Sequence, residues 1–175
     1  EPGATIMEVG RALHAVERAL PHGDCPTVAL GGLAAGAGFG YATRSLGLTI
    51  DFLRRATIVT PDGDSHVASL DSNPDLFWAC RGGGGTAGLA TELVLDTVAV
   101  GRVTGILLCW RWDAAVDGIL LYDEILHRAP PELDLKLKIR TTGADRFIDG
   151  ASAGPPDAIP GTPLMHIDGQ FLGGR

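Results

Sequence analysis

The chain is poor in the residues that would make it bind nucleic acid. Lys136 and Lys138 are its only lysines, Arg and Lys together number 14 against 21 acids, and the net charge is −7. A phosphate-binding face needs clustered cations, and the arginines here are dispersed. Aromatics are 6% of the residues, and the three cysteines, Cys25, Cys80 and Cys109, are an odd number without disulfide-framework spacing. That suits a reducing compartment and at least one free thiol. No basic region followed by an apolar core opens the sequence, so no signal peptide is visible and a cytoplasmic location is expected. From Cys25 to Thr43 there is no charge at all, but five glycines in that run argue against a membrane helix. No Gly-Lys-Ser/Thr exists, which excludes a phosphate loop of the nucleoside-triphosphatase kind.

What is abundant is glycine, 25 residues, gathered in two clusters with no collagen-like period. The first holds Gly31, Gly32, Gly36, Gly38 and Gly40, just after Cys25; the second is Arg81-Gly82-Gly83-Gly84-Gly85-Thr86-Ala87-Gly88. Glycine is used this densely where the backbone takes positive φ or comes into contact with something flat or phosphorylated. Two such surfaces on one chain point to an extended cofactor. Pro26 and Gly23 place Cys25 in a loop at the mouth of that surface, whereas Cys80 and Cys109 read as core residues.

Thr5 and Glu8 form a capping box, and Ile6, Val9, Leu13, Val16 and Leu20 recur at helical spacing until Pro21. Thr49 to Thr60 and His66 to Leu70 read as strands joined by Pro61-Asp62-Gly63-Asp64. Ser72 is positioned to cap a short helix with Pro74 in its first turn. A further strand is expected over 91–100. A composition change near Gly101-Arg102 marks a boundary. Beyond it the pattern predicts a buried strand over 103–112, a helix over 113–128, and a strand over 133–140 with Leu133, Leu135, Leu137 and Ile139 on one face. Residues 141–163 read as a loop and 164–172 as a last strand. An antiparallel sheet ending there has an unpaired edge, which predicts dimerisation.

Taken in order, Cys25-Pro26-Thr27-Val28, the glycine ladder, Gly47-Leu48-Thr49-Ile50-Asp51, Val59-Thr60-Pro61-Asp62-Gly63, Asn73-Pro74-Asp75-Leu76-Phe77-Trp78-Ala79 and Arg81-Gly82-Gly83-Gly84-Gly85 resemble the berberine-bridge-enzyme-like FAD-linked oxidases of the vanillyl-alcohol-oxidase superfamily. The resemblance runs from about Thr5 to Val100. Beyond Val103 it rests mainly on Gln170-Phe171-Leu172-Gly173-Gly174-Arg175. It implies an α+β fold: residues 1–101 as the C-terminal part of a PCMH-type FAD-binding domain, and 102–175 as the start of an antiparallel-sheet substrate domain. Family members carry an Arg-Ser-Gly-Gly-His segment for the pyrophosphate ahead of this stretch, and further substrate sheet after it. The chain is therefore expected to be the middle of a larger protein.

The resemblance also implies the site. Cys25 occupies the position of a cysteine that forms a thioether to the flavin, which makes FAD covalent through Cys25 the expected cofactor. The cofactor-binding residues are expected to be Cys25, Thr27, Gly31, Gly32, Gly36, Gly38, Gly84, Gly85, Gly88 and Leu89. Thr86-Ala87 replaces the family's usual Asn-Phe, and Phe52 follows Asp51 where Asn is common. The implied activity is an oxidase of secondary metabolism that takes a hydride from a small-molecule carbon next to oxygen or nitrogen, with dioxygen as second substrate. The catalytic base lies, by resemblance, beyond this end, and no catalytic residue is assigned. The alternative is a flavin-free chain that completes its fold with another chain.

Other motifs compete less well. Gly83-x-Gly85-x-x-Gly88 matches a dinucleotide fingerprint, but that motif needs a strand before it and a helix after it. Gly150-Ala151-Ser152-Ala153-Gly154, with Asp157 and His166 following, mimics a hydrolase elbow. Gly154-Pro155-Pro156 forbids the helix that the elbow requires. His22 and Cys25 have metal-ligand spacing without a second pair, so no metal is expected.

Overall fold

The computed structural model describes residues 1–141 and 161–173. The chain divides into two compact units, Glu1–Gly101 and Arg102–Gly173.

In the first unit, helix α1 (Ile6–His14) starts at the expected box: Thr5 Oγ1 accepts from Glu8 N–H at 3.3 Å, and Thr5 N–H donates to Glu8 Oε2 at 2.8 Å. The helical spacing runs on to Leu20, but the helix itself ends at His14. Glu17 takes φ 54°, and Arg18–Ala19 (β1) leave the helix to pair with Val98–Ala99 (β5). Arg18 Nε donates to Thr97 Oγ1 at 2.9 Å, so a tertiary strand pair overrides local periodicity. Val16 is accordingly exposed while Leu20 is buried.

The short helices α2 (Leu30–Ala35) and α3 (Thr43–Leu46) follow. Residues 49–52, expected as strand, form a turn of 3-10 helix because Gly47 takes φ 89° and Asp51 Oδ2 accepts from Leu48 N–H at 2.9 Å. A three-stranded antiparallel sheet then forms in the order β3 (Ser65–Ser69), β2 (Leu53–Val59), β4 (Leu89–Leu95). A bulge between Leu53 and Arg55 shifts the inward positions to Leu53, Ala56 and Ile58, which pack with Ala68, Phe77 and Cys80. Helix α4 (Pro74–Cys80) covers this core with Pro74 in its first turn. Its N-cap is Asn73 rather than Ser72; the Ser72 hydroxyl donates instead to Val67 O. The strand expected over 91–100 breaks at Asp96, whose N–H donates to Phe52 O.

Thr49 pins the glycine ladder from below. It is fully buried, its N–H donates to Gly38 O at 2.8 Å, and its hydroxyl donates to Pro21 O at 2.7 Å. Thr49→Val keeps the volume but strands the Pro21 carbonyl. The expected result is a loss of about 1–3 kcal/mol in denaturant unfolding, with an unchanged m value.

The second unit is a sheet ordered β6 (Val103–Arg111), β8 (Pro163–Leu172), β7 (Leu133–Thr141), with helix α5 (Ala115–Arg128) between β6 and β7 in the chain. The last strand is thus the central one. Met165 and Ile167 are fully buried, and a Cβ on Gly118 of α5 would lie 2.1 Å from Met165 Cε. Tyr122 Oη donates to Leu135 O at 3.0 Å, which fastens α5 to the sheet.

The strand expected over 103–112 forms as β6, but it is not buried. Among the described residues β6 pairs only with β8, Leu107 and Leu108 stay 47% and 43% exposed, and Cys109, read as core, is exposed. An apolar run reads the same at a sheet's edge as at its centre, and here β8 holds the centre. Leu133, Leu135 and Leu137 are half-buried or buried as expected, but Ile139 at the far end is 55% exposed. Among the described residues, no helix is long and apolar enough to cross a membrane.

Candidate cofactor site

The two glycine clusters, distant in sequence, meet in the first unit. The carbonyl of Ala35, last residue of α2, accepts from Gly82 N–H at 3.0 Å and from Gly84 N–H at 3.1 Å. Asp51 adds an ion pair to Arg81 at 3.6 Å, and the Arg81 guanidinium lies 5.6 Å over the Phe77 ring. Between the clusters is a cavity of about 360 Å³, lined by Gly31, Gly32 and Ala35 on one side and by Gly84, Gly85, Gly88 and Leu89 on the other. Its apolar floor includes Leu53, Ala56, Ile58 and Cys80. A second cavity of about 340 Å³ is lined by Cys25, Val28, Gly32, Gly36, Gly38 and Phe39. Gly32 lines both.

Cys25 is exposed, in a loop held against α1 by Ile6 N–H to Val28 O at 2.9 Å and Met7 N–H to Pro26 O at 3.1 Å. Cys80 is buried, and that burial pushes its thiol above the usual range, which keeps it protonated. The two thiols therefore differ in exposure.

The glycines sort into two kinds. A Cβ at Gly38, where φ is 73°, would sit 2.2 Å from Thr49 Oγ1, and one at Gly88 would sit 2.5 Å from Val59 O. One at Gly31 would meet Pro2 Cβ at 2.6 Å. These positions are glycine because the protein's own atoms leave no room. Gly32 and Gly84 are different: nothing lies within 4 Å of the Cβ they lack, and Gly85 has only Gly88 O, at 4.0 Å. At Gly32 and Gly85 the missing side chain leaves the cavity open; at Gly84 it does so too, but a φ of 60° also calls for glycine there.

Gly40 belongs to the first kind, with its would-be Cβ 1.8 Å from His22 O. Gly40→Ala requires a main-chain shift, and a destabilisation of about 2–4 kcal/mol in thermal unfolding is expected. The cavity residues Gly32 and Gly84 give no such clash.

Of the residues expected at the site, Cys25, Gly31, Gly32, Gly36, Gly38, Gly84, Gly85, Gly88 and Leu89 line one cavity or the other, whereas Thr27 is exposed and lines neither. The apolar lining, Ala35, Leu53, Ala56, Val28 and Phe39, is an addition to the expected set. Its signal in the sequence is the small residues interleaved with the glycines, which carry no chemistry of their own. Helix α4 before the second cluster and strand β4 after it are the reverse of a dinucleotide fingerprint. The elbow-like Gly150–Gly154 stretch lies outside the described residues. His22 Nδ1 is 2.6 Å from Gly23 O. Asp62, Asp64 and His66 lie close together on the β2–β3 turn. There the Asp62 carboxylate accepts from Thr60 Oγ1 and Asp64 N–H, bonds that hold its pKa below the usual range.

Residues 1–69 match the FAD binding domain family. The chain is 36% identical over 158 residues to the chitooligosaccharide oxidase of Gibberella zeae, covering 88% of this chain and 32% of that protein. It is 37% identical over 141 residues to the glucooligosaccharide oxidase of Sarocladium strictum, covering 78% and 28%. Among solved structures, a chitooligosaccharide oxidase superposes with a TM-score of 0.75 at 28% identity, covering 100% of this chain and 34% of that one. The chain thus spans about a third of the length of these relatives. The open, side-chain-free positions at Gly32, Gly84 and Gly85, the apolar floor, and an exposed thiol on the adjoining cavity fit a flavin nucleotide.

Proposed function

This chain belongs to the FAD-linked oxidoreductases of the berberine-bridge-like type, and from that premise we propose that it holds FAD between its two glycine turns, tethered through Cys25, in a protein that oxidises a carbohydrate. The observation that carries the reading is the convergence of Gly32, Gly84 and Gly85 on one cavity whose neighbour, sharing Gly32, is lined by Cys25. Gly31, Gly84 and Gly88 N–H already donate to Pro2 O, Ala35 O and Gly85 O, so it is the other backbone N–H groups along the turns that suit ribityl and phosphate oxygens, while the apolar floor suits the edge of a fused ring and keeps water away. When bound, FAD would supply the acceptor for a hydride from a carbon bearing oxygen or nitrogen, with dioxygen as the final acceptor of the two electrons, which with two protons give hydrogen peroxide.

The chain's own residues position that chemistry. The bonds from α1 to the Cys25 loop fix where the sulfur stands, and the Thr49 bonds fix the turn at Gly38. Glu1–Gly101 is proposed as the cofactor-binding part and Arg102–Gly173 as part of the substrate-binding domain. The second unit supports this role in having one sheet face closed by α5 and the other bearing a polar cluster: His166, Lys138 and Asp168, with Lys138 Nζ 2.8 Å from Asp168 Oδ2. A carbohydrate substrate is favoured because relatives named for oligosaccharide oxidation match across both units. A place in secondary metabolism is a wider form of the same reading and rests on family resemblance. Family membership favours the cofactor-binding reading over a flavin-free chain.

The test is anaerobic mixing of the intact flavoprotein with oligosaccharides that have a free reducing end. Bleaching of the visible flavin band, followed by one peroxide per flavin when air is admitted, is the expected result. Bleaching by dithionite but by no sugar contradicts the carbohydrate assignment.

A further inference from the structure

Among the described residues, Asp51 and Arg81 make an ion pair that the cofactor reading leaves unused, although it sits where the two glycine turns are joined. Asp51 lies two residues before Leu53 and Arg81 immediately after Cys80, both of which line the 360 Å³ cavity. Each partner is itself fixed on its own side. Asp51 Oδ2 accepts from Leu48 N–H at 2.9 Å, and a Cβ at Gly47 would lie 2.9 Å from that oxygen, so the carboxylate is packed against the backbone. Arg81 is held over Phe77, whose side chain is buried in the core beneath α4. Immediately beyond Arg81, Gly82 and Gly84 donate to Ala35 O. The second turn is therefore attached to the first unit's α2 by two hydrogen bonds to one carbonyl, and to the segment entering β2 by the Asp51–Arg81 pair.

The turn is anchored at its ends by α4 and β4, and between them the two donors to Ala35 O set its distance from α2. The ion pair adds a further attachment at the Arg81 end, to the segment entering β2. With side chains 50% and 35% exposed, it contributes little to folding, because solvent screens exposed pairs. Its consequence is geometric. We propose that Asp51 and Arg81 are positioning residues that set the angle of the Arg81–Gly88 turn over the cavity, and hence the fit of FAD between Gly32 and Gly84. The inference rests on the cofactor reading above.

A double-mutant cycle on FAD affinity in the intact protein tests it, with Cys25→Ser as background so that binding is reversible. Asp51→Asn removes the charge but keeps an oxygen for Leu48 N–H; Arg81→Gln keeps much of the stem over Phe77. Each is expected to weaken FAD binding about 3–5-fold, the double variant no more than either single one, and the flavin-free melting temperature to shift by less than about 2 °C. Affinity unchanged in both single variants overturns the proposal. So do additive losses in the double variant, or a fall in melting temperature that parallels the loss of FAD, because each makes the pair merely structural or uncoupled. If the Cys25→Ser background itself binds no FAD, the cofactor reading fails and this inference fails with it.

Discussion

Cys25→Ser is expected to release all flavin from acid-precipitated protein. The unaltered protein should give a yellow pellet, because a thioether survives denaturation; the variant should give a colourless pellet and a yellow supernatant. Serine lacks the polarisable sulfur needed to bond the flavin ring, but it differs little in volume. Cys25 is exposed and makes no core contact, so a stability change within about 0.5 kcal/mol is expected. Noncovalent FAD should remain, since neither the glycine turns nor the cavity floor is touched. Oxidation of substrate should slow because the tether, by family resemblance, makes the flavin a stronger oxidant. Cys80→Ser is the control. Its thiol is buried and held protonated, which makes it a poor nucleophile, and its pellet should stay yellow. A colourless pellet from the unaltered protein, or a yellow one from Cys25→Ser, contradicts the assignment of the tether.

Gly32→Leu should separate cofactor binding from folding even more sharply. Gly32 lies within α2, has no neighbour within 4 Å of the Cβ it lacks, and faces both cavities. Glycine inside a helix costs roughly 0.5–1 kcal/mol relative to alanine, so Gly32→Ala should raise the stability of the flavin-free protein by about that amount. Leucine at the same place projects into the space that the flavin is proposed to fill. With Cys25→Ser as background, an affinity loss of about 10–100-fold is expected, the scale of 1–3 kcal/mol of overpacking. Thermal unfolding and FAD titration should thus move in opposite directions. Gly38→Ala is the counterexample: its φ of 73° and the 2.2 Å approach to Thr49 Oγ1 predict lost stability whether or not flavin is present. A Gly32→Leu protein that binds FAD as tightly as its background would place the cofactor elsewhere.

Sequence patterns are most informative where chemistry is local. The Thr5–Glu8 box, Pro74 at a helix start, and the Pro61–Asp64 turn each act within four residues, and all occur where expected or within a residue or two. The pattern fails where a distant strand decides the outcome. Arg18–Ala19 abandon helical spacing because Val98–Ala99 supply partners, and among the described residues the uncharged run 103–110 lies at a sheet edge because β8 returns between β6 and β7. Glycine content marks the cavity but does not reveal which glycines face it. Gly38 and Gly32 look alike in sequence; only the proximity of Thr49 to one and open space beside the other tells them apart. Thr27 enters the expected site through its neighbours in the motif, yet it is exposed and belongs to neither cavity's lining.

The most direct measurement is hydrogen–deuterium exchange of the Cys25→Ser protein with and without FAD, read peptide by peptide. Saturable protection of peptides spanning residues 25–39 and 82–89, with α5 and β8 unchanged, is the predicted result. Exchange at both glycine turns that is indifferent to FAD would contradict the account.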